Sequence, residues 1–154
     1  MAVNVASEIE IARPRAQVAA YACDPDNATE WYVNIKAVEW RSPRPHATGT
    51  RLAFAATFLG RRLEYTYEVQ ELVPGERFVM STAEGPFPME TTYAFADAGG
   101  GVTRMTLRNR GEPAGFAKVA APVMARAMRR ANGQDLRRLK GILEQRGIDP
   151  GVSR

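Results

Sequence analysis

Residues 114–145 read AGFAKVAAPVMARAMRRANGQDLRRLKGILEQ, and this stretch decides the fold. At 100° per residue, its small and apolar side chains fall on one side of a helix and most of its cations on the other. The apolar side holds Ala117, Ala120, Ala121, Met124, Ala127, Met128, Ala131, Leu139 and Ile142, whereas the other side holds Lys118, Arg126, Arg129, Arg130, Arg137 and Lys140. We predict one amphipathic helix, about 45 Å long, with a kink at residues 119–122 because Pro122 removes a backbone hydrogen bond.

Seven stretches before this helix alternate between apolar and polar residues, as strands with one wet face do. They are residues 3–11, 35–42, 51–59, 62–72, 77–83, 89–96 and 102–110. Two short helices, at residues 15–22 and 27–32, separate the first two strands. The order predicts an α+β fold in which a seven-stranded curved antiparallel sheet wraps around the long C-terminal helix, because strands with one apolar face must cover it.

Composition limits the class of protein. The chain has 154 residues, of which 45% are hydrophobic and 25% charged, which predicts one domain at residues 1–147 with a flexible tail at 148–154. A single cysteine and a single histidine allow no internal disulfide and no paired-histidine metal site. We find no cofactor motif and expect no metal or cofactor. Because no secretory signal or long apolar run occurs, we expect a cytoplasmic location and no integral membrane segment.

The net charge of +4 is unevenly placed along the chain. Residues 1–103 carry 9 basic and 13 acidic residues, whereas residues 104–146 carry 11 basic and 3 acidic ones. A basic helix face is typical either of a solvated surface or of one that binds an anionic partner. No aromatic residue interleaves with the arginines, so we expect no nucleic acid as a partner.

Four strings resemble one family. They are WYVNI at residues 31–35, YTYEV at 65–69, LVPGER at 72–77 and GPFPM at 85–89. Together with the element order, they resemble the START and Bet v 1-like (SRPBCC) superfamily, and within it the bacterial polyketide cyclase/dehydrase and lipid-transport group. The resemblance implies a helix-grip fold with an internal cavity between sheet and helix that holds an apolar or aromatic small molecule. It leaves the reaction open, because some members bind or carry lipids and others cyclise or dehydrate polyketides.

The candidate ligand-binding residues are those that the alternation places on the inner faces. They form a largely apolar wall with a few polar tips, the usual chemistry of small-molecule pockets, although for each one taken alone the pattern favours ordinary core packing. The alanines and methionines of the helix are likewise consistent with close packing or with a wall kept short for a guest. The set is Trp40, Phe54, Phe58, Tyr65, Tyr67, Met80, Met89, Tyr93, Met105, Met124, Met128 and Asp135.

Polar residues on inward faces are the sharper indications. Asp135 lies within the apolar stripe of the helix, where it either faces a ligand, pairs with Arg138 or sits exposed near the helix end. Asn109 shares a strand face with Met105 and Leu107 or lies at the frayed end of its strand. No motif of a nucleophile, metal or phosphate site occurs, and His46 is expected on a surface loop.

Three hypotheses follow. The first is a protein, monomeric or homodimeric, that binds an apolar small molecule. The second is a polyketide cyclase or dehydratase that uses the same cavity, with acid–base steps by Tyr65, Tyr67 or Asp135 and no catalytic residue assigned. The third is a protein-interaction module that uses the basic helix face.

Overall fold

A computed structural model of the chain describes residues 3–58, 60–84, 88–111 and 121–146. Two short helices, α1 and α2, lie between the first two strands, and a 3-10 turn at Pro25–Asn27 precedes α2. The long helix α3 follows the last strand. The bounds are β1 Val3–Ile11, α1 Arg15–Ala22, α2 Ala28–Trp31, β2 Ile35–Trp40, β3 Arg51–Phe58, β4 Arg61–Val73, β5 Arg77–Glu84, β6 Met89–Gly99, β7 Val102–Gly111 and α3 Ala121–Arg146.

The seven strands form one antiparallel sheet in the order β1-β7-β6-β5-β4-β3-β2. Strands β2 to β7 make a meander, and β1 joins the far edge by pairing with β7. The β4–β5 hairpin turns at Pro74-Gly75, where Gly75 has φ +76° and the Glu76 amide donates to the Val73 carbonyl at 2.9 Å. Proline followed by a glycine at positive φ is the signature of a type II turn. The predicted seven-stranded helix-grip architecture is confirmed.

Strand β4 departs from regular pairing at two points. Its register with β5 shifts between Thr66 and Tyr67 and again between Val69 and Glu71. Such bulges increase the local twist and bend a sheet. The bend turns the inner faces of β3 to β6 toward the helix. The sheet and the helix therefore enclose a space instead of meeting at a flat interface.

Helix α3 covers the concave face. Its buried side chains are Met124, Met128, Asn132, Asp135, Leu136, Leu139 and Leu143, a stripe at helical spacing that includes two polar residues. The predicted helix start at residue 114, residues 119 and 120 of the predicted kink, and the predicted tail at 148–154 lie outside the described residues. Within the described part of the chain, Pro122 lies in the first turn of α3 and is exposed.

The last turns of α3 are anchored on the end of β1. The Arg13 guanidinium donates to the Leu143 carbonyl at 3.1 Å and also to the Glu144 carbonyl. Lys140 donates to the Glu10 carbonyl at 2.7 Å. A cation at a helix C-terminus satisfies carbonyls that have no partner within the helix and also opposes the negative end of the helix dipole. These contacts hold the C-terminal half of α3 in place, and its preceding turns lie over the cavity described next.

Candidate ligand-binding site

An inner cavity of about 140 Å³ lies between the sheet and α3, bordered at one end by the short helices. Its wall is mostly apolar, because the inward positions of β3 to β6 carry large hydrophobic side chains. The apolar lining residues include Leu52, Phe54, Leu63, Phe78, Met80, Met89 and Met128. Polar side chains also border it, among them Tyr65, Tyr67, Tyr93, Asn132 and Asp135. An apolar wall with a few convergent polar groups is the usual composition of a small-molecule pocket.

The structure brings most of the predicted site residues to this cavity. Phe54, Tyr65, Tyr67, Met80, Met89, Tyr93, Met128 and Asp135 all border it. Met105 and Met124 do not, because both are fully buried in the packing between the sheet and α3. Trp40 does not border the cavity either, because it lines a separate outer groove. The side chain of Phe58 lies outside the described part of the chain.

Asp135 is buried, only 3% exposed, and borders the cavity. One carboxyl oxygen accepts a hydrogen bond from the Val33 amide at 2.9 Å. Burial raises the pKa of Asp135 to about 6, against the smaller opposing effects of the Val33 amide and the Arg138 charge. Arg138 instead donates to the Glu30 carbonyl at 2.5 Å, so the expected alternative of an ion pair with Asp135 is not what the structure shows.

Two phenols meet beside this carboxyl. The hydroxyls of Tyr32 and Tyr93 are 2.6 Å apart, and Tyr32 stacks obliquely on Trp31 at 4.2 Å between ring centroids. Burial raises the pKa of both tyrosines, so both stay protonated at physiological pH. The two hydroxyl groups carry two hydrogens, and the hydrogen bond between them uses one. The other hydrogen is therefore left to donate to another group. Sequence reasoning missed Tyr32 because it follows α2 and has no place in an alternating strand.

Tyr65 and Tyr67 lie on one face of β4, with ring centroids 5.2 Å apart, but their hydroxyls differ. Tyr67 lies 3.2 Å from the Thr91 hydroxyl, which donates to the Asn109 side-chain oxygen at 2.8 Å. The Thr91 hydroxyl has a single hydrogen, which it donates to Asn109. In the contact between Tyr67 and Thr91, Tyr67 is therefore the donor. Tyr65 has no hydrogen-bond partner among the described residues, and burial raises its pKa. Tyr65 is therefore the phenol of this pair that is available to a guest.

Asn132 lies one helical turn before Asp135 and is 5% exposed. Its Nδ2 atom is buried and has no hydrogen-bond partner in the described ranges. Sequence reasoning missed this residue, although its spacing of three from Asp135 places both on one face of the helix. The available signal was an asparagine, a poor helix former, in the middle of a long helix.

The outer groove is a second, larger space of about 600 Å³, between α1, the 42–50 loop and the β4–β5 turn. Here the Trp40 indole donates to Asp26 at 2.8 Å, and the Arg44 guanidinium lies 4.3 Å from the Trp40 ring centre. His46, which we expected on the surface, is half-buried and packs edge-on against Phe78 at 5.4 Å. Burial lowers its pKa, so it is neutral at physiological pH. The hydrogen bond to Asp26 and the contact with Arg44 hold Trp40 in the outer groove, away from the inner cavity.

Three further features bear on the expected partners. Arg126, Arg129, Arg130 and Arg137 are exposed on α3, so the face invoked by the protein-interaction hypothesis is accessible. Within the described ranges, no three His, Cys, Asp or Glu side chains come together as a metal site requires. In the same ranges, no helix combines the length and the apolar character needed to cross a membrane.

Comparison with known families connects this geometry to a group of proteins. The family model for "Polyketide cyclase / dehydrase and lipid transport" matches residues 2–144. The chain belongs to this family. The resemblance to the polyketide cyclase/dehydrase and lipid-transport group that the four strings indicated is thereby confirmed. Among curated proteins, none matches the sequence.

Solved structures share the fold at low sequence identity. A protein from Thermus thermophilus is 22% identical, with a TM-score of 0.76 over 90% of this chain and 94% of that one. The Zhui aromatase/cyclase from a Streptomyces species is 16% identical, with a TM-score of 0.77 over 95% and 96%. A START superfamily protein from Mycobacterium smegmatis is 17% identical, with a TM-score of 0.71 over 93% and 95%. At these identities the likeness concerns the fold alone.

Proposed function

We propose that this protein binds an apolar or aromatic small molecule in the inner cavity. The observation that carries the proposal is that the cavity wall is largely apolar but also carries polar groups, such as the Tyr65 hydroxyl and the Asn132 amide, that have no hydrogen-bond partner among the described residues. Leu52, Phe54 and Met80 give a guest a surface to bury, and burial of apolar area is the main source of affinity in such pockets. Membership of a family named for cyclases, dehydrases and lipid transport supports the proposal.

Native mass spectrometry of protein purified from its own host tests the proposal. We expect a small molecule that copurifies at up to one equivalent and is lost on denaturation. Refolded, guest-free protein should take the molecule up again, because the cavity is part of the folded state. Protein that carries no guest and takes up no aromatic probe would contradict the proposal.

A cyclase or dehydratase that acts in the same cavity is the second candidate, and one observation favours it. Asp135, with a pKa of about 6, is largely ionised at neutral pH and suits the abstraction of a proton next to a carbonyl. The tyrosines around it keep their protons and suit donation to the oxygen that becomes negative. Tyr65→Phe discriminates between the candidates, since it should reduce turnover far more than binding in an enzyme. Tyr67→Phe serves as the comparison, because Tyr67 donates to Thr91.

A further inference from the structure

Several buried polar groups on the described wall of the inner cavity have hydrogen-bond partners within the protein. Tyr67, Thr91 and Asn109 form one chain of hydrogen bonds. Asp135 receives the Val33 amide. These groups therefore do not need a guest in order to be buried.

The Asn132 amide differs from them: like the Tyr65 hydroxyl, it has no hydrogen-bond partner in the described part of this wall, and unlike that hydroxyl, its nitrogen is fully buried. Among the described residues, three buried side-chain nitrogens have no hydrogen-bond partner, those of Trp31, His46 and Asn132. Of these three residues, only Asn132 borders the inner cavity. A buried amide donor without an acceptor destabilises the protein, and asparagine also disfavours the helix that carries it. A hydrogen bond from this amide to an acceptor oxygen on a guest would remove the cost of the unpaired donor.

The dimensions and charge of the cavity restrict the guest further. An apolar cavity of about 150 Å³ holds one benzene molecule, and the inner cavity has about 140 Å³. No lysine, arginine or histidine occurs among its described lining residues, whereas Asp24 and Asp135 do. An anionic guest would meet a carboxylate and no cation. The space therefore suits one aromatic ring with a neutral polar substituent.

We propose that Asn132 determines specificity by donating a hydrogen bond from its side-chain amide to the carbonyl oxygen of a neutral, one-ring aromatic carbonyl compound. The inference rests on the proposed function and adds the class of ligand and the residue that recognises it. Phe54, Met80 and Met128 surround the ring, and Asn132 meets the oxygen. A guest of the same shape without that oxygen leaves the amide unpaired, and sites built in this way discriminate strongly.

Two probes of nearly the same shape test the inference. Acetophenone carries a carbonyl oxygen where α-methylstyrene carries a methylene group. We expect guest-free protein to bind acetophenone about 10- to 100-fold more tightly, the range expected for one satisfied buried donor. In the ¹⁵N-resolved NMR spectrum, the side-chain amide signal of Asn132 should shift with acetophenone and far less with α-methylstyrene. Benzoate should bind more weakly than acetophenone.

Asn132→Leu keeps the size of the side chain, improves helix propensity and removes the donor. It should bind α-methylstyrene at least as tightly as the unmodified protein and lose the preference for acetophenone. Gln134→Leu is the control, because it also replaces a side-chain amide by leucine, two positions later on the same helix, at a residue that does not border the cavity. It should keep the preference.

Two outcomes overturn the inference in distinguishable ways. Equal affinity for the two probes, or a preference that survives Asn132→Leu, shows that Asn132 does not select the ligand, and leaves the aromatic cavity intact. Failure of both probes to bind the unmodified protein overturns the aromatic cavity itself and this inference with it.

Discussion

Asp135 shows at the scale of one residue how burial sets a pH response. Its pKa is raised from the ordinary value of 3.8 to about 6 by burial, while the hydrogen bond from the Val33 amide and the charge of Arg138 act in the opposite direction. Its own charge in turn raises the pKa of Tyr32, Tyr65 and Tyr93. An unfolded chain ionises this carboxyl near pH 4, whereas the folded protein does so near pH 6. The free energy of unfolding therefore loses about 3 kcal/mol through Asp135 as pH rises through this window, and the loss is complete above pH 6.

Asp135→Asn removes this ionisation and keeps an oxygen that can accept from the Val33 amide. We expect the variant to be more stable than the unmodified protein by about 1–3 kcal/mol at pH 8 and nearly equal to it at pH 4. Urea unfolding of both proteins at several pH values from 4 to 8 measures the difference between their free energies of unfolding. Other carboxyls, such as Asp26 and Glu144, respond to pH in the same way in both proteins, so their contributions cancel in this difference. A difference that stays constant across this range would show that Asp135 titrates normally.

At the scale of an element, α3 divides into two functional parts. Its C-terminal turns are tied to β1 through Arg13 and Lys140. The turns that carry Met128, Asn132 and Asp135 border the inner cavity. Because the anchoring residues and the cavity residues are different, the position of the helix and the chemistry of its inner face can be changed separately.

Arg13→Ala removes the donors to the last carbonyls of α3. We expect it to lower the free energy of unfolding by about 1–3 kcal/mol, because charged hydrogen bonds and a favourable helix-dipole interaction are lost together. Arg137→Ala is the control, since Arg137 is exposed on the same helix, and it should stay within about 0.5 kcal/mol of the unmodified protein. Guanidinium unfolding measures both; equal effects would mean that Arg13 does not anchor the helix.

At the scale of the whole molecule, the sheet and α3 enclose a space that the protein leaves partly empty. Unfilled volume costs stability, and a guest that fills it returns stability by binding only the folded state. Acetophenone at ten times its dissociation constant should raise the free energy of unfolding by about 1.4 kcal/mol and the melting temperature by roughly 3–6 °C.

Ala131→Leu fills part of the cavity from the helix side, because Ala131 borders it. We expect its melting temperature without guest to equal or exceed that of the unmodified protein, and its response to acetophenone to be largely lost. Ala127→Leu, one turn earlier at a residue that does not border the cavity, should respond as the unmodified protein does. Differential scanning fluorimetry measures both, and a full response in Ala131→Leu would place the guest elsewhere.

The alternation of β1, β4 and β6, the turn at Pro74-Gly75 and the apolar stripe of α3 determined the architecture by themselves, because periodicity and turn chemistry are local properties. The same local rules placed eight of the predicted residues on the cavity wall. They could not separate cavity from core, so Met105 and Met124 were assigned alongside Met128. They also missed Tyr32 and Asn132. Only the tertiary structure decided which inward groups find partners, because the 2.6 Å contact between Tyr32 and Tyr93 and the unpaired amide of Asn132 depend on segments far apart in sequence.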